Sequence, residues 1–216
     1  MSRDTTAAAA RVQLEAQRRL GDAGRLRMAL DMSITACALA TRLNAASIPF
    51  VLTGSFANAV HGAPRATQDI DFVIDADEAR LRVFVRSLPS GEYDVDEDAA
   101  IDALRHEGVF NVIDQDTGWK IDLIMRKSRA FSIEEFERRQ PVDLDGVPLA
   151  VATPEGTIIA KLEWARKSGS ARQLEDVASV LKLRADRLDE ERILRWVTAF
   201  GLPEQWAAVQ RLGAEA

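Results

Sequence analysis

Two hydrophobic periods divide the chain. In its middle third, apolar and polar residues alternate in short runs, the signature of strands with one buried face. Ile70, Phe72 and Ile74 alternate with Asp69 and Asp71 over 69–75, and Trp119, Ile121, Leu123 and Met125 alternate with Lys120, Asp122 and Ile124 over 119–125. Val109–Asp114 precedes the second run across the turn Gln115-Asp116-Thr117-Gly118, which predicts a hairpin. A second hairpin is predicted over Pro141–Val151 with its turn at Asp145-Gly146, a short strand over Tyr93–Val95, and another ending at Thr53 ahead of Gly54.

Outside these runs the pattern is helical. Ala7–Leu20 is rich in helix formers, with Gly21 to end it, and Ala23–Ala46 places Leu26, Leu30, Ile34, Cys37 and Ala38 along one stripe. Asp77–Leu88 is amphipathic, with Asp75 or Asp77 as its cap and Pro89 past its end; Asp98–His106 is a shorter helix. Ile133–Arg139 is predicted to start from Ser132. Thr153-Pro154-Glu155 is a helix start, threonine as cap and proline at the first helical position, leading to about Lys167 and the break Ser168-Gly169-Ser170. Helices over 171–183, 189–200 and 203–212 follow. The sum is an α+β chain: N-terminal helices over 1–46, a mixed α/β core over 47–152 and a C-terminal helical region over 153–216. Trp119, Trp164, Trp196 and Trp206 fall at spacings that suit core packing, and no aromatic run forms a platform for single strands.

Composition narrows the class. A chain of 216 residues, 47% hydrophobic and 29% charged, is that of an ordinary globular protein. Its net charge of −6 argues against indiscriminate nucleic-acid binding, though not against a local basic groove. Cys37, the single cysteine, has no partner for an intramolecular disulfide and reads as a packed thiol. No segment is apolar enough to span a bilayer, and Arg11, Glu15, Arg18 and Arg19 interrupt any signal-like core, so a cytoplasmic location without membrane contact is expected.

The chemistry concentrates in Val51–Asp75, VLTGSFANAVHGAPRATQDIDFVID. Gly54 allows a tight turn and close approach of a ligand. Ser55 then stands at a helix N-terminus, where N–H groups and the helix dipole favour phosphate. Asp69 and Asp71 project together from one side of the next strand, and a divalent cation relieves their repulsion. An anion cradle beside paired carboxylates suits phosphoryl or nucleotidyl transfer.

A Gly-Ser turn followed by Asp-x-Asp on the next strand resembles the signature of the DNA-polymerase-β-like nucleotidyltransferase superfamily. The inner pattern His61-Gly62, Arg65, Thr67, Asp69-Ile70-Asp71 is similar to the branch holding AbiEii-type toxins. The resemblance covers about residues 45–185. It implies a nucleotidyltransferase-like mixed sheet with flanking helices, Mg²⁺ or Mn²⁺ held by Asp69, Asp71 and Asp122, and an NTP such as ATP as substrate. It implies that Gly54, Ser55, Arg65 and Thr67 bind the nucleotide, that Lys161 contacts its phosphates with Arg172 in the same binding set, and that Asp176 orients a basic group or the base-proximal loop. It further implies an acceptor hydroxyl on tRNA or protein and a toxin role with an antitoxin partner. The same chemistry on a small molecule, and an inactive nucleotide-binding or antitoxin-like protein, are the alternatives. Basic residues cluster at Lys120, Arg126, Lys127 and Arg129 and again at Lys161, Arg166, Lys167 and Arg172; brought near Gly54-Ser55, they would form a positive rim.

Overall fold

The strands at 69–74 and 120–125 lie side by side at the centre of a seven-stranded mixed sheet. The structure, a computed structural model, describes residues 22–61, 69–144 and 146–214. The element order is α1 (Asp22–Ala45), β1 (Phe50–Thr53), α2 (Gly54–Val60), β2 (Asp69–Ile74), α3 (Glu78–Ser87), β3 (Tyr93–Val95), α4 (Glu97–Arg105), β4 (Val109–Asp114) and β5 (Lys120–Met125). Then come α5 (Ala130–Glu137), β6 (Gln140–Leu144), β7 (Val147–Val151), α6 (Pro154–Ser168), α7 (Ala171–Arg184), a 3₁₀ turn (Ala185–Arg187), α8 (Glu190–Ala199) and α9 (Pro203–Ala214).

The strand order is β3-β4-β5-β2-β1-β7-β6; β2 runs parallel to β5 and β1 parallel to β7, while the other neighbours are antiparallel. The expected α+β mixed sheet with flanking helices is therefore what the chain forms. Alternation decides its two faces. Ile70, Phe72 and Ile74 of β2 and Ile121, Leu123 and Met125 of β5 are buried in the main core, while Asp69, Asp71 and Asp122 stand on the opposite face. Helices α1, α3 and α4 pack together around that core, with α1 against β7 and α4 against β4. A separate apolar cluster, with Ile158, Leu162, Val177, Ile193 and Trp206 among its members, holds α6 to α9 together. Among the described residues, no helix is long and apolar enough to cross a membrane.

Local signals account for most boundaries. Asp77 caps α3 through Arg80 N at 2.8 Å, Asp96 caps α4, and Asp189 caps α8. Thr153 caps α6 through Gly156 N at 3.0 Å, with Pro154 next in line, and Gly169 ends the helix at φ +67°.

Three expectations need correction. On α1, Leu30 and Ile34 are exposed; the buried side is Met32, Thr35, Ala36, Leu39, Ala40 and Leu43. Small alanines let this helix lie close to the sheet, so the packed stripe is offset from the one drawn through the larger side chains. Helix α5 begins at Ala130, and Ser132 is not its cap: inside the first turn, its hydroxyl accepts a bond from Arg129 Nε at 3.1 Å. Trp119 and Trp206 are buried and Trp196 packs edge-on to Phe131, but Trp164 is 58% exposed. The helix predicted over 7–20 and residues Gly62, Arg65 and Thr67 lie outside the described residues.

Candidate active site

Three strands and α6 enclose a cleft of about 900 Å³. Thr53 of β1, Asp69 and Asp71 of β2 and Asp122 of β5 line its floor. Parallel pairing of β2 with β5 sets Asp71 directly opposite Asp122 and Asp69 opposite Lys120. Antiparallel pairing sets Thr53 beside Asp71, so the chain turns into α2 at the point where the second aspartate projects.

That turn is built on Gly54, at φ +67°, a conformation side-chain-bearing residues rarely adopt. A Cβ there would stand 1.9 Å from Asp71 Oδ2, so the glycine is also what admits the carboxylate. Ser55 follows, buried in the first turn of α2 and lining the cleft. Thr53 occupies the cap position without a side-chain bond to the helix, leaving the first-turn N–H groups unengaged by its hydroxyl. His61 closes α2: its Nε2 donates to Ala152 O at 2.6 Å, since a carbonyl only accepts, and burial holds its pKa below the usual imidazole range. Arg184 Nε donates to His61 O at 2.9 Å, tying the end of α2 to α7.

The three carboxylates differ in setting. Asp71 keeps some solvent contact through the cleft but is walled by protein elsewhere. This burial, then the charges of Asp122 and Asp69, pushes its pKa up to about 6 against partial relief from Lys120 and Lys161. Asp122 accepts from Asn111 Nδ2 at 2.5 Å and from Lys120 Nζ at 3.1 Å. The same ammonium lies 3.4 Å from Asp69 Oδ1, so Lys120 bridges two of the three acids. Burial works against the Lys120 charge, yet its bonds to Asp122 and Asp69 leave the pKa raised.

Among the described residues, no three carboxylate, imidazole or thiolate groups are gathered into a ready metal cage. The donor set nevertheless fits a hard divalent cation. It is all carboxylate oxygen, it leaves Asp71 under like-charge strain that a cation would relieve, and a lysine ammonium already lies between two of its members. Asp69, Asp71 and Asp122 are the residues that would hold Mg²⁺ or Mn²⁺.

The far wall is α6, with Lys161, Trp164 and Lys167 lining the cleft and Arg172 and Gln173 of α7 beside them. Lys161 is buried and ion-paired to Asp176 Oδ2 at 2.7 Å, and its Nζ also donates to Gln173 Oε1 at 3.1 Å. Arg129 grips Glu163 with both terminal nitrogens, at 2.7 and 2.6 Å, and Lys167 adds a third contact at 2.8 Å. The Arg129 bonds, opposed by burial and aided by Lys167, hold the Glu163 carboxyl down to about 2.

The basic rim therefore assembles only in part. Lys127, Arg129, Lys161, Lys167 and Arg172 line the cleft, but Arg126 turns away to Asp75 at 3.1 Å and Arg166 donates to Phe200 O at the far end of α8. Asn111 and Glu135 escaped the sequence reading. The hairpin register alone would have placed Asn111 opposite Asp122. Glu135 accepts from Thr153 N at 2.8 Å and packs where a Cβ on Gly156 would stand, a meeting of α5 with α6 that no local signal announces.

No family model and no curated protein matches the chain by sequence. Solved structures do match by shape. The antigenic nucleotidyltransferase-like protein from Paracoccidioides brasiliensis superposes with a TM-score of 0.52 at 15% identity, over 82% of this chain and 91% of the other. ANT(2")-Ia, in complex with adenylyl-2"-tobramycin, does so with a TM-score of 0.52 at 14% identity, over 79% of this chain and 97% of the other. The chain has a nucleotidyltransferase-like fold. Within this nucleotidyltransferase-like fold, the Gly54 turn and the Asp69-x-Asp71 pair meet on adjacent strands at the floor of the cleft, with Asp122 on the next strand over.

Proposed function

We propose that this protein is a metal-dependent nucleotidyltransferase that moves a nucleoside monophosphate from an NTP to an acceptor hydroxyl. The observation that carries this reading is the contact of Asp71 with Gly54, with Asp122 in register beside it: anion cradle and acidic centre share one point. Ser55 and the first-turn N–H groups of α2 hold the terminal phosphates, and Arg65 and Thr67 belong to the same phosphate-binding set. Lys161, held by Asp176, and Arg172 add positive charge from the opposite wall, consistent with the relief Lys161 brings to Asp71. A cation on Asp69, Asp71 and Asp122, when bound, supplies Lewis-acid charge at the α phosphate. Asp122, oriented by Asn111, takes the acceptor proton as the acceptor oxygen bonds to the α phosphorus; the α–β P–O bond breaks and pyrophosphate leaves.

The resemblance to AbiEii-type proteins supports tRNA or a protein as acceptor and a toxin role in a toxin–antitoxin or phage-defence system with an antitoxin partner; the single cysteine supports a cytoplasmic setting. A small-molecule acceptor is the second reading. It is favoured by the pairing of Lys120, Lys161, Arg129 and Lys167 with acids, which lowers the field available to a polyanion. The divisions at 46 and 152 belong to the same proposal; the two separate apolar clusters support the one at 152, while the helix before 46 packs into the main core.

The test incubates purified protein with Mg²⁺ and each α-labelled NTP, offering total tRNA, extract protein or an aminoglycoside panel, with Asp69→Asn/Asp71→Asn as control. Label transferred by the wild type and lost in the control is the expected result, and the labelled species names the acceptor. Absence of both transfer and triphosphate binding would overturn the assignment.

A further inference from the structure

The four tryptophans are treated unequally by this fold. Trp119 and Trp206 are 8% exposed, and Trp196 is packed among Phe131, Phe200 and Arg195. Trp164 leaves 58% of its surface in solvent, and it does so inside the cleft that holds the carboxylates. An indole left exposed forgoes the burial that stabilises a large aromatic side chain, and exposure in a concave site points to a ligand. Its surroundings have the right chemistry. Ala160, Trp164 and Lys167 form an exposed stripe at i, i+4 and i+7 on α6, placing a flat ring between a methyl group and an ammonium. Lys161, one turn towards the N-terminus, is the α6 residue whose charge reaches Asp71. At 1.5 Å per residue, Trp164 lies about 5 Å further along the helix axis than Lys161, as a base must lie beyond the phosphates it follows. Gln173, also lining the cleft, has its carbonyl engaged by Lys161, which leaves its amide NH₂ as the donor it offers to a heterocycle edge.

We infer that Trp164 is the platform on which the base of the bound nucleotide stacks. The ligand class is a nucleoside triphosphate, purines being preferred because the larger ring system covers more of the indole. This rests on the nucleotide-transfer reading and adds to it the position of the base.

Calorimetric titration of the full chain with Mg·ATP and with Mg·tripolyphosphate, which has no base, tests it in wild type, Trp164→Ala and Trp164→Phe. Trp164→Ala is expected to weaken ATP about tenfold or more, the size of one base–aromatic stack, and to leave tripolyphosphate unchanged. Trp164→Phe should retain most ATP affinity. Because Trp164 is exposed, the melting temperature should not move and serves as the folding control. Equal ATP affinity in all three proteins, or a parallel loss for ATP and tripolyphosphate, would overturn the stacking role and leave the nucleotide site standing. Loss of self-association in Trp164→Ala with ATP binding intact would reassign the indole to a contact between copies. Absence of binding by the wild type to either ligand would remove the nucleotide reading and this inference together.

Discussion

The Asp71 carboxylate occupies the space that a side chain on residue 54 would need, with Oδ2 1.9 Å from the position of a Cβ on Gly54. Turn and acid are therefore one device: neither the chain reversal into α2 nor the placement of Asp71 tolerates a change at the other. Gly54→Ala should displace Asp71 and strain a backbone held at φ +67°, costing about 1–3 kcal/mol of stability and at least about 100-fold in transfer rate. Gly146→Ala is the control. It also has a positive φ, +81°, but nothing lies within 4 Å of its Cβ position. It should cost about 1 kcal/mol with activity intact, as urea melts and initial rates would show.

Lys120 holds Asp69 and Asp122 in the place where a cation is proposed to bind. Lys120→Met should leave these acids facing each other and tighten Mn²⁺ binding about tenfold, read by electron paramagnetic resonance of free Mn²⁺. Because both pairs are partly exposed, stability in chelator should fall by less than about 1 kcal/mol. Unchanged Mn²⁺ affinity would show that the ammonium does not compete for the site.

The pair Lys161–Asp176 is almost fully buried, at 7% and 6% side-chain exposure. Lys161→Met takes the ammonium away from a buried carboxylate and should cost about 3–5 kcal/mol, while adding Asp176→Leu should restore much of the loss. If Lys161 also acts on phosphate, the restabilised double variant still binds Mg·tripolyphosphate weakly by calorimetry; full affinity there would make the pair structural only.

Glu163 is held down to about 2 from 4.5, chiefly by Arg129. A carboxyl with a depressed folded pKa contributes stability above its unfolded value, lost as pH falls through the folded one. The contribution is thus present at pH 7 and disappears between about pH 5 and pH 2. Glu163→Gln should destabilise the protein by about 1–3 kcal/mol at pH 7 and far less near pH 2, measured by urea melts across that range.

The chain by itself determined every strand of the core and most helix limits. Period-two alternation, the Thr153-Pro154 start, the Asp77 cap and the Gly146 and Gly169 turns are all local signals, each acting within a few residues. Alternation also dictated that Asp69 and Asp71 share a face. Local chemistry left the α1 stripe, the start of α5 and the exposure of Trp164 undetermined, because each depends on what packs against the element.

Only tertiary structure decided that β2 runs parallel to β5, which sets Asp71 against Asp122. A parallel pair needs a long crossover, and here it passes through α3, β3, α4 and β4, so no nearby residue encodes its register. The same holds for Gly54 meeting Asp71, Lys120 bridging two acids and Trp164 facing the cleft. Each is a contact between elements, and contacts between elements are chosen by the packing of the whole sheet and its helices rather than by the residues that make them.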